Sequence, residues 1–281
     1  MATWPSYGSP PPPEDEVAAL SVAAQGEIER AMAELRERVT LPARSGDVAV
    51  APAGVLRELA AAHARAAAVE ALRVDGAVRA HLSKAGEIYG RLMEAAPGGL
   101  GNPAMIDGIA AKVAVGETVP LEEARRDWLE AVWCSAAGGD VDHVAGYAQE
   151  FDLRLDGEAH LLLRWLDARF LYYLKGPPAD ADPDEIDSEV IYRRDQAADL
   201  IQEELALPAD PTRARWRARL RFLDSGAVND LVALLAVHSR AAPTDWLALD
   251  ALALATLHGL EVPPNVPYLP RAGLEKQRWF P

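Results

Sequence analysis

The chain has 281 residues, of which 50% are hydrophobic but only 6% aromatic, and alanine dominates the remaining apolar residues. Because alanine is the best helix former and lets helices approach closely, this composition predicts an all-α protein. The 43 acidic residues outnumber the 28 lysines and arginines and give a formal net charge of -15, which disfavours binding to nucleic acid or to anionic lipid.

The single cysteine, Cys134, excludes both an intramolecular disulfide and a zinc site built from several thiolates. The N-terminus lacks the basic and apolar regions of a signal peptide. No apolar run approaches the ~20 residues that are needed to span a bilayer. We therefore expect a cytoplasmic protein that does not enter a membrane.

Proline and glycine divide the chain into three predicted segments. Residues 1–13 are rich in proline and predict a disordered arm. Residues 14–259 predict a single all-helical domain, with a candidate sub-boundary at the glycine-rich stretch 97–103. Gly259 is suited to end the last helix, and the prolines beyond it stiffen the chain, so residues 260–281 predict an extended C-terminal strap packed on the helices.

Apolar residues recur at three- and four-residue spacing through most of the central segment, which predicts helices. The predicted helices cover about 14–39, 52–74, 77–95, 105–115, 120–138, 158–174 and 246–258, with another beginning at 140, one ending near 205 and a helical pair within 210–240. No window alternates apolar and polar residues as a β-strand does, so no sheet is predicted.

An internal echo indicates how these helices pack. The stretch that begins at Trp128 recurs 88 positions later at Trp216, and each copy reads as a Trp-led helix, a short break and an Ala-rich helix. This pattern is typical of stacked antiparallel helical hairpins with tetratricopeptide-like packing. The spacing is not that of a regular solenoid.

No sequence motif of an enzyme is present. The chain has no nucleophile elbow, phosphate-binding loop, kinase signature or local His/Cys metal motif, so we assign no catalytic residue, cofactor or metal ligand. Two alternatives to pure protein binding stay open: a helical-repeat scaffold or regulator, and a helical enzyme or small-molecule-binding protein of specialised metabolism. The pocket of the latter would lie between hairpins and be lined by Trp128, His160, Trp165, Tyr172 and Tyr173.

Two charged stretches are candidates for binding. The segment between Lys175 and Arg193 contains six acids and no base, and it would attract a basic partner surface as a phosphate mimic does. The sixth acid is Asp180. The candidates for partner binding are the other five, Asp182, Asp184, Glu185, Asp187 and Glu189. Five arginines alternate along 213–221, and we predict that they pair with the acids at 180–189.

The C-terminal segment WLALDALALATLHGLEVPPNVPYLPRAGLE contains an Ala/Leu-rich helix, a His258-Gly259 stop, an extended apolar piece and then Tyr268-Leu269-Pro270. This order resembles the C-terminal signature of the immunity protein 49 family of bacterial polymorphic toxin systems. Two internal stretches, DWLEAVWCSAAGGDVDHV and RFLDSGAVNDLVALLAVHSR, are similar to the family as well. The resemblance implies an all-helical protein without catalytic residues that binds and neutralises a cognate toxin by stoichiometric protein–protein interaction.

Overall fold

The computed structural model describes residues 4, 10–41, 48–74, 76–97, 103–106, 109, 111–149, 153, 155–174, 176–177, 182–241 and 245–274. Packed helices dominate this part of the chain, which confirms the predicted all-α class. The helices are α1 (Glu14–Arg38), α2 (Ala53–Glu70), α3 (Val78–Glu94), α4 (Leu121–Gly138), α5 (Val141–Gln149), α6 (Gly157–Phe170), α7 (Pro183–Ala206), α8 (Ala214–Ser225), α9 (Val228–Ala241) and α10 (Leu249–Leu257). Most of the predicted Pro-rich arm, Asp180 and the last seven residues of the strap lie outside the described residues.

Helices that are consecutive in the chain pack against each other from α1 through α9, in the manner of stacked hairpins. The last helix, α10, folds back onto α4, α8 and α9. Eight of the nine residues of α10 are buried, so this Ala/Leu-rich helix lies in the core. None of the described helices combines the length and the apolar character that crossing a membrane requires.

Glycines on α3 allow the closest helix packing in the core. A Cβ atom added to Gly86 would lie 2.2 Å from Ser135 Oγ on α4, and one on Gly90 would lie 2.2 Å from the hydroxyl of Tyr147 on α5. The Tyr147 hydroxyl donates a hydrogen bond to the Gly86 carbonyl oxygen at 3.1 Å. The absence of side chains at these two positions is therefore what lets α3 meet α4 and α5.

The two copies of the internal echo close in the same way. Gly139 follows α4 with φ of 87°, and Gly226 follows α8 with φ of 59°, both in the left-handed region that favours glycine. Each turn leads into the next helix of its hairpin, and the leading residues Trp128 and Trp216 are buried. The similarity in sequence thus corresponds to two hairpins whose first helices carry a buried tryptophan and end at a left-handed glycine.

A small sheet corrects two predictions. Strands β1 (Ala49–Ala51), β2 (Ala104–Met105) and β3 (Lys112–Val115) form a three-stranded sheet in the order β1-β3-β2, with β1 parallel and β2 antiparallel to β3. The predicted helix at 105–115 and the prediction of no sheet are therefore wrong. The strands are too short to show the alternation of apolar and polar residues that predicts a β-strand. In addition, β3 pairs with β1, which lies far upstream in the chain, so the sheet depends on tertiary contacts.

The extended strap packs on the helices as predicted, up to Leu274. Val262 and Leu274 form an isolated antiparallel bridge that closes the strap on itself. The Tyr268 carbonyl oxygen accepts a hydrogen bond from the Ala248 N–H at 2.8 Å, and the Arg271 N–H donates to the Ala71 carbonyl oxygen at 2.8 Å. These bonds hold the strap against the start of α10 and the end of α2.

Candidate functional site

Helix α7 has an unusually polar environment for a long helix. Only Ala197 and Ile201 are buried among its 24 residues, and it packs against α6 and α8. Its sequence, PDEIDSEVIYRRDQAADLIQEELA, has no continuous apolar stripe through its N-terminal half. That half of the helix therefore lies on the surface with most of its side chains exposed.

The start of α7 shows why the sequence places acids there. The Asp182 carboxylate caps the helix by accepting a hydrogen bond from the Asp184 N–H at 3.0 Å. Pro183 occupies the first helical position, and Asp184 and Glu185 lie in the first turn, where the helix dipole favours negative charge. Part of the acidity thus has a local structural cause.

The predicted partner-binding acids differ in how they are paired. Glu189 accepts a hydrogen bond from Arg193 Nε at 2.6 Å, and Arg193 also contacts Asp167 of α6 at 2.6 Å, so that Glu189 belongs to a surface network. Hydrogen bonding to Glu189 raises the pKa of Arg193. No cation among the described residues forms an ion pair with Asp184, Glu185 or Asp187, and all three are exposed.

Two apolar side chains are exposed beside these carboxylates. Ile191 and Tyr192 are each 57% exposed, and Gln196 Nε2 donates to the Tyr192 hydroxyl at 2.7 Å. Helical spacing places Ile191 one turn after Asp187, and Tyr192 two turns after Glu185. We name the surface formed by Asp184, Glu185, Asp187, Ile191 and Tyr192 the acidic face of α7.

A groove of about 600 Å³ lies between α6 and α7 and borders this face. Tyr192 lines the groove and also a shallow concavity at the helix start, so the tyrosine joins the two. The groove is polar, and its lining includes His160, Arg164, Asp167, Glu189, Tyr192, Arg193 and Gln196. Its mixed charges could accept a polar side chain of a partner.

The arginines at 213–221 do not pair with the described acids at 182–189, so that prediction is wrong. Arg213 contacts Glu204 at 2.8 Å, and Arg215 and Arg219 both bind the buried carboxylate of Asp250 on α10. The reason is the direction of α8, which presents these arginines to α10 and to the end of α7. The acids at the start of α7 are consequently not neutralised by them.

The residues proposed to line a pocket do not converge on one chamber. Trp128 is fully buried, and its indole N–H donates to the Tyr147 carbonyl oxygen at 3.1 Å. Trp165 packs against the ring of His258, while the hydroxyl of Tyr173 donates to Asp142 at the surface. His160 lines the groove between α6 and α7, and Tyr172 is half-buried at the end of α6. The described residues contain no group of three or more His, Cys, Asp or Glu side chains that could hold a metal ion.

The residues of the C-terminal signature have structural positions. His258 lies between the rings of Trp165 and Phe222, with both centroid distances 5.3 Å. Burial, together with the positive charge of Arg169, lowers the pKa of His258 to about 4, so the ring is neutral at pH 7. Gly259 is left-handed with φ of 61°. Tyr268, Leu269 and Pro270, which belong to the strap, are buried.

The positions of the exposed pair in α7 are a signal that sequence reasoning missed. Ile191 and Tyr192 lie six and five positions before Ala197, which puts both well off the buried side of α7. Adjacent apolar residues outside the buried stripe of an otherwise charged helix are candidates for contact with a partner.

Comparison with known proteins yields no match: no protein-family model, no curated protein and no solved structure matches the chain. The resemblance to the immunity protein 49 family therefore stays a prediction that rests on the quoted residues.

Proposed function

We propose that this protein acts in the cytoplasm as an immunity-type protein, which binds and neutralises a cognate toxin through the acidic face of α7. The observation that carries the proposal lies on one exposed helix surface, where three carboxylates that form no ion pair with any described residue stand beside the exposed side chains of Ile191 and Tyr192. The resemblance of the C-terminal segment supports the same class of function.

The composition of this face suits protein binding. Aromatic residues supply most of the energy of typical interfaces, and Tyr192 offers a large ring whose orientation is supported by Gln196. The carboxylates of Asp184, Glu185 and Asp187 can pair with a partner without first leaving internal ion pairs among the described residues. Their charge, within a protein of net charge -15, would accelerate association with a basic surface.

The proposal is tested with the toxin domain encoded next to this gene. Isothermal titration calorimetry should show one-to-one binding, and the toxin's activity should fall in step with complex formation. Truncating the anchor in Tyr192→Ala should weaken the affinity by roughly 30-fold or more, the range of an interface hot spot. If the protein instead functions by binding a small molecule at another site, neither result is expected.

The charges are tested by the triple variant Asp184→Asn, Glu185→Gln, Asp187→Asn. We expect the association rate to fall by about tenfold at low salt and to lose most of its dependence on ionic strength. The matched control removes three exposed acids from α1 in Glu16→Gln, Glu29→Gln, Glu37→Gln, with the same change of net charge. If the two triple variants slow association equally, or if the neighbouring gene product does not bind, the acidic face of α7 is not the toxin site.

A further inference from the structure

A cavity lies far along the chain from α7, between α1, α2, α3 and the small sheet. Its volume is about 180 Å³, and most of its wall is apolar. The buried apolar residues of this wall are Ile28, Leu56, Leu59, Ile88 and Val113. Because they come from three helices and a strand, the cavity is part of the packed core.

The volume of the cavity sets the size of the molecule that fits it. Voids larger than one water molecule are few in protein interiors, because the atoms that line a void lack van der Waals partners on one side. An apolar molecule that enters the cavity supplies those partners. A dry cavity of about 150 Å³ is enough to bind benzene, so this one accepts an apolar molecule of roughly six to eight carbon atoms.

Two methionines border the cavity and provide a way in. Met105 of β2 is 59% exposed, and Met32 of α1 is half-buried. The methionine side chain is unbranched and adapts its shape to neighbouring groups. A small molecule can therefore enter when these side chains change rotamer, without displacement of a helix.

The charged groups on the wall offset one another. Lys84, Glu87 and Arg91 line the cavity from α3, and Glu87 lies within one helical turn of both cations. Arg91 Nη1 contacts both carboxylate oxygens of Glu94, at 3.1 and 3.0 Å, and Lys84 already has an interaction within the protein. Among these four residues the two positive and the two negative charges balance, so the wall favours neither an anion nor a cation.

The histidines beside the cavity do not change this balance in favour of an anion. His63 lines the cavity, and its Nδ1 lies 3.1 Å from Nδ1 of His81 on α3. At this distance one imidazole donates and the other accepts, so the Nδ1 atoms of both rings are occupied by each other. Burial lowers the pKa of His81, so this ring is neutral at pH 7.

We infer that this cavity binds a neutral, apolar molecule of about six to eight carbon atoms. The molecule would lie among Leu59, Ile88 and Val113, and its affinity would come from the apolar surface that it buries. An anion or a cation of the same size would lose its hydration without meeting an unbalanced opposite charge among the four charged residues of α3. The cavity shares no residue with the acidic face of α7, so the inference does not depend on the proposed function.

The inference is tested by calorimetry on the purified full-length protein with toluene, benzoate and benzylamine, which share one ring and differ in charge. Toluene should bind one-to-one with a dissociation constant on the order of 100 µM, which is within the range for about seven non-hydrogen atoms. Benzoate and benzylamine should each bind at least tenfold more weakly. No binding of toluene, or a charged probe that binds as tightly as toluene, would overturn the inference.

Variants that fill the cavity locate the bound molecule. Ile88→Phe adds bulk from α3 and Ile28→Phe adds it from α1, and each should weaken toluene binding at least tenfold. The matched control is Val22→Phe, which places the same ring on α1 at a position that is 75% exposed and outside this cavity, and it should leave the affinity unchanged. Unchanged toluene affinity in a filling variant that folds would mean that toluene binds elsewhere, and the inference would fail. The comparison of the three probes on the wild type does not depend on these variants.

Discussion

The substitution Asp250→Asn tests how the last helix is attached to the rest of the protein. The Asp250 side chain is only 4% exposed and binds two guanidinium groups of α8. Arg215 donates to it at 3.0 and 2.8 Å, and Arg219 donates to it at 3.0 and 2.7 Å. Asparagine keeps the shape of the side chain but removes the charge that both arginines share.

The expected loss of stability in Asp250→Asn depends on the contacts that Arg215 and Arg219 retain. Removing one partner of a buried ion pair destabilises proteins by about 3–5 kcal/mol. Arg219 retains its contact with Glu158, and Arg215 is 31% exposed and gains water, so we expect the lower end, about 3 kcal/mol. The control Glu34→Gln breaks the exposed pair with Arg38 and should cost less than about 0.5 kcal/mol.

Urea denaturation at pH 7 measures both free energies of unfolding, from the midpoint and the slope of each transition. A pH series adds a second readout. Burial alone would raise the pKa of Asp250, but Arg219 and Arg215 hold it well below its usual value. The stabilisation by Asp250 is therefore present above its unfolded pKa of about 3.9 and lost as the pH falls toward the folded value, so the difference between wild type and variant should shrink between pH 5 and pH 3.

A cost below about 1 kcal/mol for Asp250→Asn, or a difference from wild type that does not change with pH, would show that the two arginines do not depend on this carboxylate. Either outcome would refute the assignment of the ion triad as the attachment of α10 to α8.

Two further predictions concern the core. His258 is neutral in the folded protein because its pKa lies near 4, below the unfolded value of 6.5, so stability should fall as the pH drops from 6.5 toward 4, by at most about 3 kcal/mol. His258→Asn, compared by thermal melting across this range, should remove that part of the pH dependence, and an unchanged profile would contradict the prediction. Gly86→Ala should destabilise the protein by about 1–3 kcal/mol because its Cβ would meet Ser135, whereas Gly26→Ala, with open space around it, should stabilise by about 0.5–1 kcal/mol. Urea unfolding of the pair checks this, and equal effects would mean that α3 and α4 can separate without cost.

Apart from the helix wrongly predicted at 105–115, local sequence signals predicted where the helices lie, because helix formation depends on neighbouring residues. The left-handed Gly139 and Gly259 follow α4 and α10 where the sequence indicated, whereas α7 begins at Pro183, within a stretch that the sequence suggested was a break. The strap was predictable for a similar reason, since proline and apolar residues alternate there in a segment that cannot continue the helix. Its contact with Ala71 was not, because that residue lies nearly two hundred positions upstream.

The functional surfaces were only partly predictable. The acids at 182–189 stand out by composition, but whether they are paired depends on where the arginines of α8 point, and these turn to Asp250 and Glu204 instead. The pocket residues chosen from the sequence were aromatic, and Trp128 among them is fully buried. The apolar cavity between α1, α2, α3 and the small sheet is lined by residues from three helices and two strands, which no local pattern brings together.

The sequence by itself determined an acidic, alanine-rich, all-helical protein with an extended end, because helix propensity, hydrophobic periodicity and turn residues act over a few positions. Only the tertiary structure decided which charges neutralise each other, where the short strands pair and which helices enclose empty space. Those properties depend on contacts between residues far apart in the chain, such as Ala49 with Val113 and Arg215 with Asp250.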